Sequence, residues 1–202
     1  GEGPKFKSPL GSSRDIKNLI VPDVYEKLDY VFSAVKLIKQ ELHAALPLIG
    51  FSGSPWTLAA YSIEGRSSKD FLFTRNFLKE NNVEAHIFLD SLTKACFEYL
   101  KKQVEAGADV IQIFDSWAGL IDQEDLNDYC ILPNSRIVDF CKKKNIPVIC
   151  FPKGIGENYK KFNEEVKPHG LNLDYEVDPG WAKQNLKDVV IQGGLNPKVL
   201  LN

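Results

Sequence analysis

Five short apolar segments recur along the chain, at 47–53 (PLIGFSG), 108–116 (ADVIQIFDS), 145–154 (NIPVICFPKG), 170–175 (GLNLDY) and 189–197 (VVIQGGLNP). Each runs into glycine, proline or small polar residues, and a stretch of helical periodicity separates it from the next. Strands that are apolar throughout, instead of alternating, belong to parallel sheets covered on both faces, and parallel pairing needs a crossover connection. The repeated strand–helix order predicts an α/β protein of parallel β/α units, arranged as an open doubly wound sheet or a closed barrel. A polar, glycine-rich or aromatic exit after every strand favours a (β/α)8 barrel of the TIM type, whose site is built from many such loops. A complete barrel takes about 250 residues. The 202 residues therefore read as one partial barrel domain, 1–202, supplying about five β/α units.

Val24, Leu28, Val31, Phe32, Val35, Leu37, Ile38 and Leu42 recur at helical spacing, which predicts a helix from Asp23, behind Pro22, to Pro47. Further helices are expected at 69–80, 84–105, 122–144 (with Pro133 as a break or kink), 157–167 and within 178–186. The first 15 or so residues read as an extended loop. The chain has no methionine, opens in a polar loop and stops where an apolar helix begins, so it is expected to be part of a longer polypeptide.

Composition excludes several classes. Apolar content of 44% and charged content of 26% are ordinary for a globular protein. A net charge of -2 offers no general attraction to nucleic acid or anionic membranes. No apolar run approaches the ~18 residues of a membrane span, and no signal-peptide pattern opens the chain, which predicts a cytosolic protein. Cys96, Cys130, Cys141 and Cys150 form no C-x-x-C pair and have no histidine partners at ligand spacing. They are expected to be free buried thiols, and His43, His86 and His169 to serve surface or packing roles, leaving no metal or cofactor site.

Candidate chemistry lies at the strand exits. In IGFSGSPWTLAAYSIEG (49–65), Gly53 allows a ligand close to the backbone, Phe51 and Tyr61 offer an apolar wall and a phenol donor, and Trp56 reads as exposed. The same residues would serve equally as packing at the barrel's end. In FDSWAG (114–119), Phe114 is expected to point inward, with Ala118 and Gly119 leaving room. Ser116 reads as a ligand contact or as a structural cap, and no G-x-S-x-G elbow marks it as a nucleophile. Asp115 should face away from Ser116, because adjacent strand residues point to opposite sides. Lys153 reads as an exposed lysine ahead of an anion contact, and Asp174 as a structural cap ahead of the partner of a buried cation. Gly193 and Gly194 allow positive φ but give only a weak phosphate-cradle signal.

Four segments, PLIGFSGSPWTLAAYSIEG (47–65), AGADVIQIFDSWAG (106–119), GLNLDYEVDP (170–179) and VIQGGLNP (190–197), resemble those of the uroporphyrinogen decarboxylases, in that family's order. The likeness covers nearly the whole chain, from GEGPKFKSPL onward. It implies a (β/α)8 barrel that converts the four acetate side chains of uroporphyrinogen III to methyls, giving coproporphyrinogen III and CO2 without a cofactor. Carried onto matching positions, it implies that Tyr61 and Ser116 contact the tetrapyrrole and that Phe51 and Phe114 pack on its macrocycle. It also implies that an aspartate holding the pyrrole NH groups, and arginines binding the carboxylates, precede residue 1. No catalytic residue is then expected within this chain, and the isolated piece is expected to be inactive. A histidine segment after the last strand is likewise absent, and GGLNP and DYE stand where the family commonly has GNLDP and Asp-Trp. A cytosolic homodimer is further implied. The competing readings are an inactive tetrapyrrole-binding fragment and a corrinoid-linked methyltransferase of the same barrel superfamily, which would need histidine and cysteine zinc ligands near the late strand exits.

Overall fold

The computed structural model describes residues 5–20 and 23–201. Helices α1 (Ser13–Lys17), α2 (Val24–Glu41), α3 (Pro55–Glu64), α4 (Leu72–Glu80), α5 (Asn82–Glu105), α6 (Leu132–Lys143), α7 (Asn158–Val166) and α8 (Pro179–Asn185) accompany five strands. The strands are β1 (Ile49–Gly53), β2 (Val110–Asp115), β3 (Val148–Pro152), β4 (Gly170–Leu173) and β5 (Val190–Gly193). Each apolar segment predicted as a strand contains one.

The sheet order is β1-β2-β3-β4-β5, and every neighbouring pair is parallel. A doubly wound sheet reverses its order at a switch point and carries helices on both faces; this one does neither. Gly50 faces α5, where an added Cβ would lie 2.9 Å from Gln103, and Ser52 faces Cys96 of the same helix. In register with them, Ile111, Ile113, Val148, Cys150, Leu171 and Leu173 are buried in one core with α3, α5, α6 and α7. Phe51, Phe114 and Phe151 point to the other face and lie outside that core. Sequential parallel strands with the helices gathered on one face form the wall of a (β/α) barrel.

Local chemistry explains where the elements depart from expectation. The opening loop contains α1, because the Ser12 hydroxyl accepts from Asp15 N while Asp15 reaches back to Gly11 N, and Ile16 is buried beneath. Asp23 caps α2 by accepting from Tyr25 N and Glu26 N, whereas Pro22 lies outside the described residues. That helix kinks at Leu28 and ends at Glu41, short of Pro47. The helix expected over 122–144 starts as a π turn, Asn127–Ile131, and passes into α6 with Pro133 in its first turn. Proline has no N–H to lose there, so the wider turn is cheap at that point. All four cysteines are free and buried, and burial pushes the Cys96 thiol up to about 11 and that of Cys141 up to about 12.

The exits of β2 and β3 meet backbone to backbone. Gly119 N donates to Lys153 O at 2.9 Å, and a Cβ on Gly119 would sit 2.5 Å from the Gly154 carbonyl oxygen. The space beside Gly119 is thus filled by the neighbouring loop, and Ala118 is fully buried, so neither leaves the room expected of it for a ligand. Gly119→Ala should lower the unfolding free energy by about 1–3 kcal/mol, since backbone cannot yield as a flexible side chain can. Gly11→Ala, whose added carbon meets nothing within 4 Å, should stay within about 0.5 kcal/mol of the parent. Urea unfolding of both variants measures this, and equal costs would mean that the two exits are not in contact.

Candidate active site

Main-chain bonds stitch the strand exits into one rim. Ser54 N donates to Phe114 O (2.9 Å), Lys153 N to Asp115 O (3.1 Å) and Gly154 N to the Asp174 carboxylate (2.8 Å). Asp174 also accepts from Glu176 N at 3.1 Å and Tyr159 Oη at 3.3 Å, so it caps a turn and ties two loops. Lys153 is exposed. Gly193 and Gly194 do adopt positive φ, 85° and 91°, and a Cβ on Gly193 would collide with Asn172 Oδ1 at 2.5 Å.

Trp56 is buried, contrary to the exposed position expected for it. It occupies the first turn of α3, stacks on Tyr129 with centroids 5.8 Å apart, and donates from Nε1 to Trp117 O at 2.9 Å. Ser54 starts this helix by accepting from Thr57 N, and Pro55 follows at a position where no N–H is needed. Gly53 has Leu58 beside it, with the nearest side-chain carbon 3.1 Å from where its Cβ would be.

On the interior face the rings of Phe51, Phe114 and Phe151 form an edge-to-face ladder, with centroid separations of 5.9 and 6.3 Å. Phe51 is more than half exposed, so the ladder offers a broad apolar wall. Around the rim, Tyr61 packs edge-on against Phe71 (5.7 Å) and Trp117 (6.1 Å), and those two rings lie 4.8 Å apart. Through Trp117, the residue after Ser116, the exit of β2 packs against Tyr61. Neither hydroxyl has a hydrogen-bond partner among the described residues. Sequence reasoning passed over Phe151, Phe71 and Trp117 as site-forming residues. Phe151 sits level with Phe114 in the β2–β3 register, the one signal that could have found it.

The acidic groups near the rim are engaged elsewhere. Asp115 is fully buried on the helix side, accepting from Thr57 Oγ1 (3.1 Å) and Asn134 Nδ2 (3.0 Å). Desolvation raises its pKa despite these donors, and it faces away from the interior. Asp122, Glu124 and Asp125 lie close enough together to share a cation, but they are all carboxylates and are bound by Arg75 and Lys79. His43 and His169 accept from Ala45 N and Val148 N, and His86 packs on Tyr129, so the histidines have local roles. No helix among the described residues is long and apolar enough to cross a membrane.

Parallel β/α units in sequential order, with an aromatic interior wall at their strand exits, define a barrel-type protein. The sequence matches the Uroporphyrinogen decarboxylase (URO-D) family over residues 1–202, and the chain belongs to that family. It is 41% identical over 205 residues to a uroporphyrinogen decarboxylase of Pseudomonas aeruginosa (strain UCBPP-PA14), which covers 99% of this chain and 58% of the relative. Enzymes of the same name from Hydrogenovibrio crunogenus and Legionella pneumophila (strain Lens) are each 40% identical, over 99% and 100% of this chain and 58% of their own length. The chain thus spans a little under three-fifths of the curated relatives it matches. A solved methyltransferase from Methanosarcina mazei has a similar fold, with a TM-score of 0.61 at 18% identity over 96% of this chain and 65% of that one.

Asp115 should leave a pH signature. Its folded-state pKa lies above the unfolded value, so its contribution to stability is fully present below about pH 4 and is lost as pH rises through the folded-state pKa. Asp115→Asn removes that titration, so the stability of the variant relative to the parent should improve as pH rises above about 4 and level off once the folded-state pKa is passed. Urea midpoints across this range test it, and a constant difference would mean that Asp115 titrates as a free carboxyl.

Proposed function

We infer that the polypeptide carrying this chain decarboxylates the acetate side chains of uroporphyrinogen to methyls, yielding coproporphyrinogen and CO2 as part of haem synthesis, and needs no cofactor. Family membership along residues 1–202 carries the reading. The Phe51–Phe114–Phe151 wall supports it, because a tetrapyrrole presents a broad apolar face ringed by carboxylates. In this reading the chain is one partial barrel domain, Phe51, Phe114 and Gly53 line the macrocycle, and Tyr61 and Ser116 donate to polar groups at its edge.

Loss of CO2 from a pyrrole acetate leaves carbanion-like charge, which protonating the ring relieves. A carboxylate held near the pyrrole NH groups in a water-poor cleft stabilises that protonated form, and arginines orient the acetates through paired hydrogen bonds. Among the described residues, Asp115 and Asp174 are both committed to the fold. In this reading the catalytic carboxylate and the arginines come, as the family resemblance implies, from outside this chain. This chain contributes shape, apolar surface and hydroxyl donors. The same resemblance supports a cytosolic homodimer. A corrinoid-linked methyltransferase is disfavoured, since the carboxylates of Asp122, Glu124 and Asp125 are a poor set for a thiolate- and imidazole-bound zinc.

Anaerobic assay of the intact polypeptide with uroporphyrinogen, with products separated after oxidation, tests the reading. Tyr61→Phe should reduce kcat/KM by about tenfold and Ser116→Ala by about three- to tenfold, each losing roughly one hydrogen bond to a charged or polar group. Parent polypeptide that releases no CO2 from uroporphyrinogen would sink the activity. Parental rates in both variants would remove these two residues from the site.

A further inference from the structure

The Tyr61 ring is held in an aromatic bracket of Phe71 and Trp117, and the bracket is made at a cost. Phe71 is fully buried yet left-handed, with φ 48° and ψ 39°, a conformation that is an outlier for a bulky residue. Its backbone is held from both sides: Phe71 N donates to Ser68 Oγ at 3.3 Å, and Phe71 O accepts from Arg75 N at 3.0 Å. Trp117 Nε1 is buried without an acceptor among the described residues, a second unfavourable term in the same cluster. Both unfavourable features belong to the two rings whose faces and edges enclose Tyr61. Strain and unpaired donors persist where the surrounding structure enforces them, and they gather at functional sites.

We propose that Phe71 and Trp117 are positioning residues for substrate binding: their rings fix the orientation of the Tyr61 phenol, so that its hydroxyl meets the substrate without first losing rotational freedom. The proposal rests on Tyr61 being a substrate contact. A phenol held before binding pays less ordering entropy when the ligand arrives, so the bracket acts on affinity more than on the chemical step. The left-handed Phe71 is what brings a ring back over Tyr61 at the start of α4, since a right-handed residue there would send the side chain elsewhere. The rings act through shape, and the indole N–H has no part in the contact.

A double-mutant cycle in the intact polypeptide tests this, using Tyr61→Phe, Phe71→Leu and the combination, with KM for uroporphyrinogen and Kd for the oxidised porphyrin uroporphyrin as separate readouts. Phe71→Leu should raise both constants by about fivefold when Tyr61 is present and by less than about 1.5-fold in the Tyr61→Phe background, with kcat little changed. Trp117→Phe keeps a ring against Phe71 and should stay within about twofold of the parent. Should Phe71→Leu fail to fold, Trp117→Leu takes its place in the same cycle with the same expectation. Equal losses with and without the Tyr61 hydroxyl would overturn the proposal, because a merely structural ring would act in both backgrounds. Tyr61→Phe with parental KM and Kd would overturn it too, by removing the contact it serves. Porphyrin binding reads the cycle even without turnover, so the loss of the decarboxylase reading and the loss of this one are told apart.

Discussion

Where the exit loops of β2 and β3 meet, two backbones lie closer than any side chain would allow. The carbonyl oxygen of Gly154 lies 2.5 Å from where a Cβ on residue 119 would be, and from this contact the hydrogen bonds of the rim run outward to Asp115, Lys153 and Asp174. The rim in turn sets the heights at which Phe114, Ser116 and Trp117 leave the sheet. A barrel site made of separate loops is only as defined as the contacts between those loops, and here they are mostly main-chain bonds, which have few alternative geometries.

The two faces of β2 divide the labour. Ile111, Ile113 and Asp115 point toward the helices, with Asp115 joining the N-terminus of α3 to α6 through Thr57 and Asn134. Phe114, one residue away, belongs to the aromatic wall. The carboxylate nearest the site in sequence is therefore a piece of framework, and its desolvation is tolerable because donors surround it. The period-two alternation of a strand is enough to separate scaffold from site at adjacent residues.

Much of the architecture was legible because short apolar runs ending in glycine or proline have few interpretations, and all five became strands. The interior face was less so. In VICFP every residue is apolar, so nothing in composition says that Phe151 and not Cys150 looks inward; register with β2 decides it. Trp56 looked exposed because it follows Gly53 and Pro55, but Pro55 opens a helix whose first turn packs on Tyr129. Phe71 was illegible for a deeper reason: glycine, asparagine and aspartate are the residue types that advertise a left-handed backbone, and a phenylalanine does not. Tyr61 and Ser116 stood out through likeness to a family, since an isolated tyrosine and serine carry no motif of their own.

Strand order has a consequence for how such a chain comes to be folded. Every strand pairs with the one made just before it, so no strand among β1–β5 must wait for a distant partner. The longest interval is the first, where Ile49 pairs with Val110 across α3, α4 and α5; the later strands follow at shorter spacing. As a nascent chain leaves the ribosome, the sheet can lengthen one unit at a time on an edge already in place, each addition closing a modest loop. Among the described residues β1 and β5 are the edges of the sheet, and their exposed Ile49, Phe51, Val190 and Ile191 are the kind of surface that needs shielding while a chain folds.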